Sequence, residues 1–196
     1  AVFGMKDLVP VKAFTSVELE VLRSMLGKGV HSPATSSVGR LFDAVAAILA
    51  LRQTSSFEGQ AAMDLEFIRD GFETEQTYPV EISVRTEGYA VPVLVVDWEL
   101  MIKAILEDAA RGFPAQKISA KFHNALAEAI VLVAARSGEE RVALTGGCFQ
   151  NKTLLEKAVR RLREEGFKPY WHQRVPPNDG GISLGQVVAA SRILGG

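Results

Sequence analysis

The chain has 196 residues, 22 basic and 23 acidic side chains, a net charge of −1 and 47% hydrophobic residues, so it can bury a real core without staples. Its single cysteine, Cys148, excludes an internal disulfide framework and points to a reducing, cytoplasmic setting, and the balanced charge leaves no footprint for nucleic acid or an anionic membrane. No apolar run approaches the roughly 20 residues that span a bilayer, and a start at Ala1 rather than methionine is expected of a processed chain or a piece of a longer one.

Residues Ala1 to Phe14 lack periodicity and are interrupted at Gly4 and Pro10, which predicts an extended leading segment. Thr15 then caps a helix whose stripe is Val17, Leu19, Leu22 and Leu26 and which Gly27 and Gly29 stop. After HSPATSS, Ser36 or Ser37 is placed to cap VGRLFDAVAAILAL, a helix apolar on most sides and therefore expected to be deeply buried. A third helix is expected from Phe57 to about Ile68, ended by Asp70-Gly71. YPVEISVRT and VPVLVVD, rich in Val and Ile and separated by a short Gly88-containing link, predict a β-hairpin. Two helices follow, WELMIKAILEDAARG and a longer one from about Ala115 to Arg136. In the longer helix Ile118, Phe122, Ala125, Leu126, Ala129, Ile130 and Val133 repeat at helical spacing and mark the core face. The last third alternates: strand ERVALT, helix NKTLLEKAVRRLREEG, strand FKPYWH, loop QRVPPNDGG, helix ISLGQVVAASRIL. That alternation predicts parallel pairing and a sheet covered by helices. The basic stretch Lys157 to Arg163 lies among Glu156, Glu164 and Glu165 and reads as a solvated helix face.

Chemistry concentrates in two loops. The strand ending Leu144-Thr145 runs into Gly146-Gly147 and then a helix near Asn151. Two glycines let the backbone turn sharply and approach a ligand, and a helix start offers N–H groups and a positive dipole end to an anion such as phosphate. A plain strand-to-helix turn is the competing explanation, and neither a Walker A ending nor a dinucleotide fingerprint is present. The second loop, Pro176-Pro177-Asn178-Asp179-Gly180-Gly181, would lie at the same carboxyl edge of the sheet. Asp179 there suits a hard cation, unless it or Asn178 simply caps the last helix.

Asp43, in an otherwise apolar helix, needs a partner: either Arg40, or a ligand hydroxyl in a cleft. Glu58-Gly59-Gln60 is a polar start to a helix, and a structural start is its simpler reading. Cys148 lies inside the glycine turn with no assignable base, so a packing role competes with a nucleophilic one. His31, His123 and His172 have no metal-ligand spacing, and His123 reads as a satisfied core histidine.

The phrases TSSVGRLFDAVAAILAL, FEGQAAMDLE, LTGGCFQN and VPPNDGGISLGQ, in this order, closely resemble the C-terminal part of the carbamoyltransferases of nickel–iron hydrogenase maturation. The resemblance covers nearly the whole chain. It implies an α/β fold, the C-terminal lobe of an actin-like ATPase (ribonuclease-H-like) with a mixed sheet covered by helices. Residues 1–75 would supply a helical linker and nucleotide-contacting helices, and 76–196 the α/β lobe with the phosphate turn and metal loop. It implies formation of carbamoyl-adenylate from carbamoyl phosphate and ATP, and transfer of the carbamoyl group to the C-terminal cysteine of a maturation partner protein. By the same resemblance Asp43 matches a ribose-binding aspartate, Gly59 a glycine beside the ribose, and Gly146, Gly147 and Asn151 a phosphate-contacting turn. Asp179 matches the one ligand this lobe gives a divalent metal ion.

The chain departs from that pattern in two ways. Cys148 stands where related motifs carry a small aliphatic residue, and the histidine cluster holding the rest of the metal has no counterpart, nor do the family's other domains. A lobe lacking its N-terminal partner, and inactive alone, is the expectation. A lobe of a small-molecule O-carbamoyltransferase and a non-catalytic docking or regulatory lobe are the alternatives.

Overall fold

In the computed structural model, residues 8–88 and 90–195 are described, so the start of the expected leading segment lies outside the described residues. Within it, Val9–Lys12 form one helical turn, α1, with Pro10 in its first turn, where a missing N–H costs nothing. α2 (Ser16–Lys28) opens on the expected Thr15 cap as a full capping box with Glu18 and closes on Gly29 in the left-handed conformation. Gly27 stays inside the helix. None of the α2 stripe is buried.

α3 (Val38–Ile48) is capped by Ser37, whose Oγ accepts from Arg40 N–H at 3.3 Å. Only one of its faces, Phe42, Val45 and Ala46, is buried, which corrects the expectation of burial on most sides: its remaining apolar residues are small or lie at the edge of the core. α4 (Gln60–Phe67) starts later than the sequence suggests. β1 (Glu81–Arg85) and β2 (Val93–Asp97) form the expected antiparallel hairpin, Ser83 facing Val95.

α5 (Glu99–Ala110) leads to α6 (Ala115–Ser137), the central element. By length and composition α6 could cross a membrane, but 61% of its apolar window is buried inside the fold, so it is accounted for as the core helix. One side carries the main core, in which Ile118, Phe122, Ala125 and Leu126 meet Phe42, Val45, Leu65, Met101 and Ile105. That core draws on residues from both sides of position 75. The far end of α6 carries a second core, Val131 and Ala134 against Leu144, Ala158 and Leu162.

β3 (Arg141–Leu144) and β4 (Lys168–Trp171) pair in parallel across α7 (Lys152–Glu164), with Leu144 opposite Trp171. The right-handed logic of a strand–helix–strand unit puts α7 on one face of the pair, against α6. A short 3₁₀ turn, Gly147–Gln150, precedes α7, and another, Asp179–Gly181, precedes α8 (Ile182–Leu194). Among the described residues the strands make two two-stranded sheets, where the resemblance implies one mixed sheet. The hairpin strands are mostly exposed, so they bring no apolar face to join the β3–β4 pair.

Candidate functional site

Three of the expected site elements converge on the first turn of α3. Asp43, one turn further along, lines an open cleft of about 630 Å³ together with Ser37, Arg40, Phe57, Glu58 and Gly59. The cleft therefore brings Asp43 and Gly59 together, although they lie 16 positions apart in the sequence. Asp43 is not free: Arg40 Nη2 lies 3.0 Å from its Oδ2, so both readings of this carboxylate coexist, an ion pair facing a cleft. At 31% side-chain exposure the carboxylate stays reachable.

The far wall of the cleft is a braced loop. Gly59 takes φ 82°, a left-handed conformation that L side chains rarely adopt, and it caps α4. Gln60 reaches back so that its Oε1 accepts from Ser56 N–H at 2.7 Å. Arg52 Nε donates to Asp64 Oδ2 at 2.6 Å and ties the loop to α4. Glu58-Gly59-Gln60 is thus a structural helix start and a cleft wall at once.

The glycine turn also meets the start of α3, through Cys148 and Gly39. Gly146 has φ 109°, which only glycine adopts comfortably, and its N–H donates to Pro177 O at 2.8 Å. That bond docks the PPND loop onto the turn, so Gly147 faces Asn178, and the two loops expected at one sheet edge do share it. Asn178 Oδ1 accepts from Gly180 N–H at 3.1 Å, leaving Asp179 exposed at the start of the second 3₁₀ turn. Gly181 is fixed sterically, since a Cβ there would come within 2.7 Å of Pro176 O.

Cys148 packs between the turn and α3 against the main core, with the Gly39 backbone N–H directed at its sulfur. Burial pushes the thiol up from its ordinary pKa, and Gly39 offsets only part of that. The lowered pKa that a helix start would give a nucleophile is not found; the residue is a packing group.

Asn151 is where local reading and structure differ most. Its Oδ1 accepts from Leu154 N–H at 2.8 Å, and Glu66 Oε1, from α4, accepts from Thr153 N–H at 2.8 Å. The amides of Thr153 and Leu154 are therefore spent on protein groups. The N–H groups that open the 3₁₀ turn, those of Gly147 and Cys148, have no partner within a turn of i to i+3 bonds. Asn151 Nδ2 lies 3.0 Å from His123 Nε2, and the residue is 8% exposed. His123 is fully buried, its Nδ1 lies 2.8 Å from Ser119 O, and burial, before any neighbouring charge, lowers its pKa to about 4. It is the satisfied core histidine that its spacing suggests.

His172 just after β4 lies with its Nε2 3.0 Å from the Oγ1 of Thr145 just after β3, and His31 lies in an exposed turn at φ 50°. Among the described residues no group of three or more His, Cys, Asp or Glu side chains could hold a metal ion. Asp179 alone offers one hard oxygen donor, so it fits a cation only if other ligands come from elsewhere.

The family described as "Carbamoyltransferase, Kae1-like Domain, second subdomain" matches residues 3–186. The chain is 39% identical over 187 residues to the carbamoyltransferase HypF of Synechocystis sp., covering 95% of this chain and 23% of that protein. It is 36% identical over 201 residues to the HypF of Rhizobium leguminosarum bv. viciae, covering 97% and 24%. A crystal structure of full-length HypF in a phosphate- and nucleotide-bound form superposes with a TM-score of 0.82 at 40% identity, covering 95% of this chain and 29% of that one. The HypF of T. kodakarensis superposes at 0.72 with 30% identity, covering 95% of this chain and 24% of that one. The chain thus spans about a quarter of the length of these relatives.

Proposed function

Because the chain belongs to the HypF carbamoyltransferase family, as the second subdomain of its Kae1-like domain, we propose that it is one nucleotide-binding lobe of a carbamoyltransferase serving nickel–iron hydrogenase maturation. The enzyme it helps to build uses carbamoyl phosphate and ATP, by way of carbamoyl-adenylate, to carbamoylate the C-terminal cysteine of a partner maturation protein. Within it this chain grips the nucleotide and performs no bond-breaking step by itself.

The supporting observation is the junction at the first turn of α3. The Asp43–Gly59 cleft and the Gly146–Gly147 turn both adjoin it, the turn through Cys148. A nucleotide crossing that junction would set its ribose hydroxyls against the Asp43 carboxylate, a strong acceptor. Gly59, without a side chain, leaves the ribose room. The phosphates would meet the amides of Gly147 and Cys148, and Asn151 acts by shaping that turn, since its own side-chain atoms are committed. Asp179 would supply one oxygen to a divalent cation, with the other ligands coming from outside this chain. A bound cation would neutralise phosphate charge there. The phosphate- and nucleotide-bound state of a relative agrees with this use of the fold.

Calorimetry with ATP and magnesium tests the reading, first on this chain and then with the rest of the HypF polypeptide added in trans. Heat in the second titration, abolished by Asp43→Ala, is the expected result. Absence of heat in both removes the nucleotide site and leaves the docking reading. Asp43→Ala with wild-type affinity removes the ribose role alone. Carbamoyl transfer by the isolated chain would overturn its assignment as an incomplete lobe.

A further inference from the structure

We propose that His123 is a positioning residue for the glycine turn, acting through Asn151 as a hydrogen-bond acceptor that holds the 3₁₀ turn in the shape a phosphate would meet; this rests on the nucleotide reading above. One placement of hydrogens satisfies the buried groups. Asn151 Oδ1 is fixed as an acceptor, because the group facing it is the Leu154 N–H. The atom facing His123 is then the Asn151 amide nitrogen, a donor, so His123 Nε2 must carry the lone pair. The ring proton consequently sits on Nδ1 and is donated to Ser119 O at 2.8 Å. Ser119 Oγ donates in turn to Leu65 O at 2.5 Å, which anchors the α6 end of the chain of bonds in α4.

The relay ends in the turn. With its side chain clamped at both ends, Asn151 fixes its own backbone, whose N–H donates to Cys148 O at 3.2 Å, while Phe149 N–H donates to Gly146 O at 3.0 Å. The amides of Gly147 and Cys148 are thus aimed by a group in the core that touches no ligand. The imidazole is held edge-on by Phe42 and Phe122, ring centroids 5.6 and 5.8 Å away, so it cannot swing to another partner. A leucine or phenylalanine would satisfy the packing; only an acceptor at the Nε2 position satisfies Asn151.

The test uses the complete HypF polypeptide containing this chain, with magnesium-ATP as the probe. His123→Phe keeps the aromatic packing and strands the Asn151 donor, and it is expected to weaken ATP binding about tenfold, the cost of an unpaired buried donor. His123→Gln puts an oxygen near the Nε2 position and is expected to stay within about threefold of wild type. Equal affinity in wild type and His123→Phe, or equal loss in both variants, overturns the proposal while leaving the nucleotide site standing. No binding by wild type fails the nucleotide reading and this inference with it. Nitrogen-15 histidine spectra of the wild type at neutral pH give a readout independent of any variant's folding: the neutral Nδ1–H tautomer is expected, and an Nε2–H tautomer or an imidazolium overturns the relay.

Discussion

Burial sets the charge of His123, and that makes it a pH liability. Its pKa falls from 6.5 to about 4, first through desolvation, with Arg69 and Lys157 lowering it further and the Ser119 carbonyl and Glu73 opposing. The folded chain therefore keeps it neutral where the unfolded chain takes up a proton. Stability from this group is full above about pH 6.5 and is lost as pH falls towards 4, on the order of 3 kcal/mol in all. Urea unfolding at pH 7 and pH 4.5 should show that loss in wild type, and the wild-type-minus-His123→Gln difference isolates it from the carboxylates. Two glycines separate shape from approach. Gly181→Ala meets Pro176 O at 2.7 Å and should cost about 1–3 kcal/mol of stability in thermal or urea unfolding. Gly147→Ala has its nearest neighbour at 3.9 Å and no positive φ, so stability should change by less than about 0.5 kcal/mol. Any loss of ATP affinity in Gly147→Ala is then the added methyl standing in the ligand's way.

Elements whose ends are fixed by neighbours in sequence were readable from it. Thr15 and Glu18 make the box that starts α2, Ser37 starts α3, and the Val- and Ile-rich runs around Gly88 fold as the hairpin. The parallel β3–β4 pair followed from alternation of strand and helix. The start of α7 was not readable in full. Asn151, expected to contact phosphate, is the local cap, and the second cap comes to Thr153 from Glu66, 87 positions away, which no local pattern marks. The Thr153 and Leu154 amides, which a helix start would offer to an anion, are consequently occupied. No local pattern brings Asp43 to Gly59 either; the resemblance implied their meeting, and it depends on how the loop between α3 and α4 folds back. Glu66→Ala should cost about 1 kcal/mol in urea unfolding, because it frees the Thr153 N–H and unties α4 from α7. Glu66→Gln keeps an acceptor and should cost only a few tenths.

Among the described residues, α2 and α8 are the long helices that leave their apolar side chains unburied. α2 and α8 bury no side chain, and Val17, Val21, Val187, Ile193 and Leu194 are each more than half exposed. α6, by contrast, is buried on both its cores. A helix with no buried face keeps its backbone bonds only through local propensity, and 13 residues are too few for that alone to hold α8 against fraying. Exchange protection should thus divide the chain, with α6 amides opening only on global unfolding and α2 and α8 amides exchanging through local opening. Exposed apolar side chains of this kind would be covered if α2 or α8 met a partner surface. Hydrogen exchange by mass spectrometry on the isolated chain, and again after the rest of the HypF polypeptide is added, measures both effects. Slowed exchange in α8 on addition is expected of a lobe completed by its partner. Unchanged exchange there, with ATP bound, would mean that the nucleotide site assembles without α8, and its apolar face would then belong to some other contact.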